Sequence, residues 1–146
     1  MGEYKLPLRL WGYASAFNNR DAVNDIVLRG AFKHTIQDYK DRGKAIPVLW
    51  HHDSSCPVGI VKTIKETAFG LYTGLELFHE ISKVNDIKKY LTSNVQLGLS
   101  IGYRVKEVCY ENAEATRIIK RCDLIEISIT IIPANDLTLI EKVRGL

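Results

Sequence analysis

The chain has 146 residues, 46% hydrophobic and 25% charged, which is typical of one globular domain and argues against intrinsic disorder. Its 20 basic and 17 acidic side chains leave a net charge of only +3, too balanced to favour nucleic acid as a partner. No apolar run is long enough to cross a bilayer and no signal-type segment follows the N-terminus, so we expect a soluble, cytosolic protein without a membrane partner.

The predicted elements are short strands and two helices within a single domain, residues 1–146. Runs of β-forming residues predict strands, and apolar residues three or four apart predict helices. In chain order we predict a strand at 8–14, an extended piece at 25–28, a helix at 31–40, strands at 46–50, 57–63 and 71–78, a helix at 82–92, and strands at 95–108, 116–121 and 124–132. The tail, 137–143, fits either a short helix or a strand. Because regular β–α–β alternation is missing, an α+β domain on an antiparallel sheet or closed barrel is predicted.

A serine on the strand predicted over 95–108 is the first candidate for chemistry. Gly98, Ser100 and Gly102 share one face of this strand because successive side chains alternate. Two glycines beside the hydroxyl leave space for the close approach of a substrate backbone. The structural alternative is a bent strand in which the glycines relieve crowding and the serine forms a local hydrogen bond.

A histidine and a carboxylate are the other candidates. His51 and His52 follow a predicted strand, and at most one of them can serve a given site because consecutive side chains point to opposite faces. An imidazole is the usual acceptor of a hydroxyl proton near neutral pH. Glu126 shares a strand face with Ser128 and Thr130. Either this face meets solvent, or the carboxylate is semi-buried and needs a partner such as a histidine.

Metal and thiol chemistry are weaker alternatives. The three cysteines are odd in number and widely spaced, which argues against a disulfide framework and a zinc ribbon and fits a reducing compartment. His52, Asp53 and His79 are the candidate ligands of a metal-dependent hydrolase, but they form no HxxxH or HExxH pair. We therefore expect neither a metal nor a cofactor.

The order of these candidates, with their flanking residues, resembles the prohead (capsid-maturation) serine proteases of tailed bacteriophages. The resemblance runs from about Leu10 to about Val143. Its most specific blocks are Trp50-His51-His52-Asp53 and Ser100-Ile101-Gly102-Tyr103. The other blocks, in the same order as in the family, are Gly12–Ser15, Asp21–Asp25, Gly30–Phe32, Pro57–Gly59, Gly70–Leu71, Glu126–Ser128 and Pro133–Asn135.

Matched position by position, this resemblance implies a catalytic triad. Ser100 would be the nucleophile, His52 the general base and Glu126 the acidic third member. His52 is favoured over His51 because the family's histidine lies two places after the tryptophan and just before aspartate.

The same family is similar to the herpesvirus assembly proteases, which implies a fold and an oxyanion hole. The fold would be α+β, a mainly antiparallel closed β-barrel of about seven strands flanked by helices. The oxyanion hole would lie shortly after the acidic residue, at Ala134 and Asn135. Asn24 departs from the family, which often has glycine there, but asparagine also adopts left-handed turns.

The function implied by the resemblance is that of a serine endopeptidase. Its partners would be scaffold and capsid-protein segments, cleaved as peptide substrates, and it would also cleave itself. It would act in the host cytoplasm, inside the assembling prohead. The sequence leaves open whether it forms a homo-oligomer. Two alternatives remain: a non-enzymatic β-barrel module of a phage particle or assembly scaffold, and the metal-dependent hydrolase.

Overall fold

The computed structural model describes residues 5–111 and 115–146, which form eight strands and two helices. In chain order the elements are β1 (Leu8–Ala16), β2 (Asp25–Val27), α1 (Lys33–Arg42), β3 (Pro47–Trp50), β4 (Asp53–Glu66), β5 (Gly70–Leu77), α2 (Ser82–Thr92), β6 (Gly98–Glu111), β7 (Thr116–Thr130) and β8 (Ile140–Arg144). Within these residues no helix is long and apolar enough to cross a membrane.

The predicted elements are confirmed in order, with three differences. β4 begins directly after the histidine pair and is longer than predicted. β7 is one continuous strand where two were predicted. The tail, which the sequence left open, forms strand β8. Asn24 has a φ of 66°, the left-handed conformation expected of it.

The strands form one mixed sheet in the order β2-β7-β3-β4-β5-β1-β8, and β6 also pairs with β7. β2 and β3 run parallel to β7, whereas β6 runs antiparallel to it. The prediction of a closed, mainly antiparallel barrel is therefore wrong. β6 is paired with β7 along its length and β8 turns to pair with β1, so among the described residues a single bridge, Gly98 to Leu139, joins these two regions.

Helix α1 is held at both ends by features outside its own sequence. The residue before it, Phe32, offers no capping side chain. Glu66 of β4 does so instead, because its Oε1 accepts hydrogen bonds from the backbone N–H groups of Gly30 at 3.0 Å and Phe32 at 3.2 Å. A carboxylate there satisfies free N–H groups and interacts favourably with the helix dipole. The helix ends at Gly43, which is left-handed at a φ of 62°.

The core is built by aliphatic side chains from the sheet together with Phe32 and the buried face of α2. Helix α1 packs against β7 and β4, and α2 packs against β4. Central side chains such as Leu75, Leu99 and Ile127 are fully or almost fully buried. β7 therefore lies inside the protein, with β6 on one side and β2 and β3 on the other, and polar groups on its buried face need partners.

Candidate active site

Ser100, His52 and Glu126 lie in one hydrogen-bonded chain. His52 Nε2 lies 3.1 Å from Ser100 Oγ, and His52 Nδ1 lies 2.5 Å from Glu126 Oε1. Because a carboxylate only accepts hydrogen bonds, Nδ1 carries the imidazole proton, and the lone pair of Nε2 faces the serine hydroxyl. The contacts therefore orient a neutral His52 to take the proton of Ser100.

His52 reaches this position from the tip of a hairpin. Only His51 and His52 connect β3 to β4, and Trp50 and Asp53 close the turn as a pair. Both histidines have positive φ, 49° and 60°, the combination of a type I′ turn, which favours Asn-Gly. A left-handed backbone costs a non-glycine residue about 1–2 kcal/mol, so surrounding contacts must stabilise this turn.

His51 lies outside the hydrogen-bonded chain and supports the turn. Its backbone N–H donates to the carbonyl of Ile129 at 3.1 Å, and its Nε2 accepts from the backbone N–H of Ile131, also at 3.1 Å. Burial and the neighbouring charges of His52 and Lys83 lower the pKa of His51. A lowered pKa keeps the imidazole neutral and able to accept this hydrogen bond.

Ser100 and Glu126 are positioned by the register of β6 against β7. Ser100 lies opposite Ser128, and Gly102 lies opposite Glu126. Glu126 is only 6% exposed, which excludes the solvent-facing alternative for its strand face. The carboxylate is instead a buried polar group with a histidine partner.

The two glycines beside Ser100 have a different role from the one predicted. A Cβ at Gly102 would lie 2.4 Å from Glu126 Oε1, and a Cβ at Gly98 would lie 2.6 Å from Cγ of Pro133. The interpretation that these glycines leave space for a substrate is therefore wrong. The space at Gly102 is filled by the carboxylate that contacts His52.

Replacing Gly102 by alanine is expected to reduce peptide cleavage by about 10²- to 10⁴-fold while leaving the fold intact. The new Cβ must displace the carboxylate, and with it the contact to His52; the carboxylate is the far end of its side chain and can move, at a cost of about 1–3 kcal/mol for the buried hydrogen bonds that it loses. The measurement is kcat/KM on a peptide substrate together with the midpoint of thermal unfolding.

Gly43→Ala is the matched control for this prediction. No atom lies near a Cβ at Gly43, but its φ of 62° disfavours alanine. This variant should lose about 1 kcal/mol of stability and keep its activity. Wild-type kcat/KM in Gly102→Ala would contradict the assigned role of the glycine.

A cavity of about 170 Å³ opens beside the serine and the histidine. Its walls include Ala14, Val27, Leu99 and Tyr103. Polar side chains, including Asn19 and Asp21, share the lining about equally with apolar ones, so the space next to the serine hydroxyl has a mixed polar and apolar surface.

The predicted oxyanion-hole residues, Ala134 and Asn135, line the same cavity. The side chain of Asn135 is already engaged, since its amide donates to Asn19 Oδ1 and its Oδ1 accepts from the N–H of Leu137, both at 2.9 Å. In the part of the chain that the structure describes, neither backbone N–H of Ala134 or Asn135 donates to another group of the protein. Both N–H groups are therefore uncommitted within the described residues.

Thr138 joins this loop to β6 beside Ser100, and nothing in the sequence pointed to it. Its Oγ1 lies 2.7 Å from the carbonyl oxygens of both Leu99 and Asn135, and its own carbonyl accepts from the N–H of Leu99 at 2.7 Å. Leu99 directly precedes Ser100. The loop after β7 is therefore fixed to the backbone beside the serine.

A partly buried ion pair contacts Tyr103, which lines the cavity. Arg117 binds Asp25 through two hydrogen bonds of 2.8 and 2.7 Å, and the hydroxyl of Tyr103 donates to the same carboxylate. Burial acts to raise the pKa of Asp25, but these hydrogen bonds outweigh it and hold the pKa below its usual value. Burial and Asp25 raise the pKa of Tyr103, which keeps the phenol protonated at the cavity wall.

The candidate metal ligands are not brought together. Asp53 accepts hydrogen bonds from the N–H and hydroxyl of Ser55, and His79 Nε2 donates to the carbonyl of Leu6. Among residues 5–111 and 115–146, no group of three His, Cys, Asp or Glu side chains is arranged to hold a metal ion. The geometry thus favours His52 as a partner of Ser100.

Comparison with known proteins identifies the family of the chain. The family described as caudovirus prohead serine protease matches residues 5–145. The prohead protease of Enterobacteria phage HK97 is 32% identical over 127 residues, covering 86% of this chain and 55% of that protein. The prohead protease of Escherichia phage T5 is 27% identical over 130 residues, covering 88% of this chain and 59% of that protein. The chain thus spans less than two thirds of the length of these relatives.

Two solved structures share the fold at low sequence identity. The bacteriophage T4 capsid assembly protease superposes with a TM-score of 0.68 at 11% identity, covering 85% of this chain and 81% of that one. The KSHV protease in complex with a hexapeptide phosphonate inhibitor gives a TM-score of 0.60 at 12% identity, covering 92% and 64%. The fold is thus herpesvirus-protease-like, although its sheet is open. With the family match spanning nearly all of its residues, the chain belongs to the caudovirus prohead serine protease family.

Proposed function

We propose that this domain is a serine endopeptidase that cleaves scaffold and capsid-protein segments, and itself, during maturation of a phage prohead. The observation that carries the proposal is the chain of contacts from Ser100 Oγ through His52 to Glu126, at 3.1 and 2.5 Å. The family supports the substrate class, since its name and the names of the HK97 and T5 relatives describe prohead proteases. The site of action is then the interior of the assembling prohead.

The proposed reaction proceeds through an acyl-enzyme. His52 Nε2 takes the hydroxyl proton as Ser100 Oγ bonds to the carbonyl carbon of the substrate. The same nitrogen then protonates the leaving amine as the C–N bond breaks. Water next adds to the ester carbon, with its proton passing to His52, and the serine oxygen leaves and regains a proton. Glu126 holds the proton on Nδ1 and stabilises the imidazolium that forms twice.

The oxyanion is proposed to bind to the backbone N–H groups of Ala134 and Asn135. Both residues line the cavity at Ser100, and Thr138 ties their loop to the strand of the nucleophile. Backbone donors of this kind contribute roughly 3 kcal/mol or more to the transition state. The same proposal assigns Ser100 as the nucleophile, His52 as the general base and Glu126 as the acid that orients it.

The substrate is proposed to bind as an added strand beside β6. The backbone N–H of Leu99 donates to the carbonyl of Thr138 and not to β7. Because backbone groups of successive residues in an antiparallel strand point alternately to the two sides, Leu99 and Ile101 both direct theirs away from β7. Ile101 therefore presents its N–H and C=O to the open side of the strand, one residue after Ser100. An extended peptide can pair with such an edge.

A peptide phosphonate is expected to label Ser100 covalently, because only an activated serine attacks this class of inhibitor. Mass spectrometry of the digested protein identifies the labelled residue, and heat-denatured protein is the control for non-specific reaction. Labelling that persists after treatment with a chelator excludes the metal-dependent alternative. A folded chain that no such phosphonate labels would favour the non-enzymatic module instead.

A further inference from the structure

We propose that Ser128 is a positioning residue that links the backbone of the general base to the carboxylate that orients it. Its hydroxyl accepts a hydrogen bond from the backbone N–H of His52 at 2.9 Å and donates one to Glu126 Oε2 at 2.7 Å. This inference rests on the proposed protease function and adds a fourth side chain to the site. Ser128 does not touch the reacting atoms.

The chemistry of the two groups fixes which of the two hydrogen bonds Ser128 donates and which it accepts. A serine hydroxyl has one proton to donate, and Glu126, as a carboxylate, can only accept it. The oxygen of Ser128 is then free to accept from the N–H of His52. Since Ser128 is completely buried, water cannot replace either bond.

The two hydrogen bonds of Ser128 restrain two different parts of the site, the Glu126 carboxylate and the turn at His52. Glu126 has two oxygens, and Oε1 contacts His52 Nδ1 while Ser128 holds Oε2. The carboxylate is thereby restrained against rotation about its side-chain bonds. A single contact to the imidazole would leave this rotation open.

The other end stabilises the turn that carries the base. His52 has a φ of 60° and follows His51, which is also left-handed. The N–H of His51 is bonded to Ile129, and the next N–H along the turn, that of His52, has Ser128 as its acceptor. Two consecutive backbone bonds to β7 thus hold the unfavourable turn, and one of them requires the Ser128 side chain.

Ser128→Ala tests the inference, with Thr130→Val as its matched control. Thr130 lies two residues along the same face of β7, and it is also buried. In the described part of the chain its Oγ1 has no hydrogen-bond partner. Each variant deletes one buried hydroxyl from the same strand face, but only Ser128→Ala removes contacts to His52 and Glu126.

We expect Ser128→Ala to lower kcat by about 10- to 100-fold and leave KM within about twofold, the loss typical of hydrogen bonds to a charged group. Rates are expressed per serine labelled by the phosphonate, so that a misfolded fraction does not count. Thr130→Val should keep the wild-type kcat. Equal kcat in Ser128→Ala and the wild type would overturn the inference.

A spectroscopic measurement separates this inference from the proposed function. The proton on His52 Nδ1 is expected to give a low-field NMR signal because of its 2.5 Å contact with Glu126. The spectra are recorded in a Ser100→Ala background, because the signal depends on the contact between His52 and Glu126 and not on catalysis. It should shift or vanish on adding Ser128→Ala and persist on adding Thr130→Val. An unchanged signal contradicts the positioning role, whereas an intact signal in a wild-type chain that cleaves nothing contradicts only the protease function.

Discussion

Ser100→Ala is expected to reduce peptide cleavage by about 10⁴- to 10⁶-fold. The variant removes the oxygen that would bond to the substrate carbonyl, and His52 and Glu126 cannot act without it. The fold should be unchanged, because the lost contact is a single side-chain hydrogen bond of 3.1 Å to a half-exposed histidine. Co-expression with the capsid protein of the same phage, followed by mass spectrometry, measures processing of both proteins.

Ser93→Ala is the control for this experiment. Ser93 lies at the exposed end of α2 and also carries a hydroxyl, but it has no place in the proposed site. It should process capsid protein at the wild-type rate. Capsid-protein processing that continues in purified Ser100→Ala would remove the basis for the proposed function.

Glu126→Gln is expected to reduce kcat by about 10⁴-fold. The amide has nearly the same size as the carboxylate, so it can remain opposite Gly102 and close to His52. It no longer stabilises an imidazolium, and its NH₂ group favours the tautomer with the proton on Nε2. That nitrogen then faces the Ser100 hydroxyl as a donor and cannot take its proton.

The comparison variant for Glu126 is Glu141→Gln, which makes the same chemical change at an exposed position of β8. Its kcat should equal that of the wild type. If Glu126→Gln keeps more than about a tenth of the wild-type kcat, another group must orient His52. Circular dichroism of both variants checks that the fold is retained.

Local sequence patterns predicted the elements well where the element depends on its own residues. The helix at 82–92 matches α2, since Val84 and Ile87 are spaced to share its buried face. The prediction divided β7 in two, with a gap at Cys122 and Asp123. In the protein, pairing with β6 keeps this segment extended, and β2 and β3 pair with β7 before and after it.

The closed barrel was predicted wrongly because closure depends on pairing between distant segments. β2 and β3 both run parallel to β7, which no local periodicity indicates. The prediction took its closure partly from the resemblance to herpesvirus proteases. A protein can share the overall fold of such a protease without the final strand pairing that would close the barrel. The prediction of a single domain over 1–146 stays a prediction.

The sequence predicted the three residues of the candidate site but not the turn and the hydrogen bonds that position them. The ordered blocks selected His52 and Glu126, and the structure brings both to Ser100. The left-handed turn at the two histidines carries no turn signal, because a His-His pair is not a usual type I′ sequence. The link through Ser128 depends on the register of β7 against the turn, which composition and spacing do not reveal.

The central place of β7 has a consequence for when the domain can become active. His52 and Ser100 lie on earlier segments, but both are held against β7, whose Ser128 comes 76 positions after His52. While the chain is being synthesised, β3 and β6 lack their common neighbour until residue 130 has left the ribosome. Contacts this distant in sequence also form slowly. A growing chain therefore cannot assemble the contacts among Ser100, His52 and Glu126 until β7 has been made.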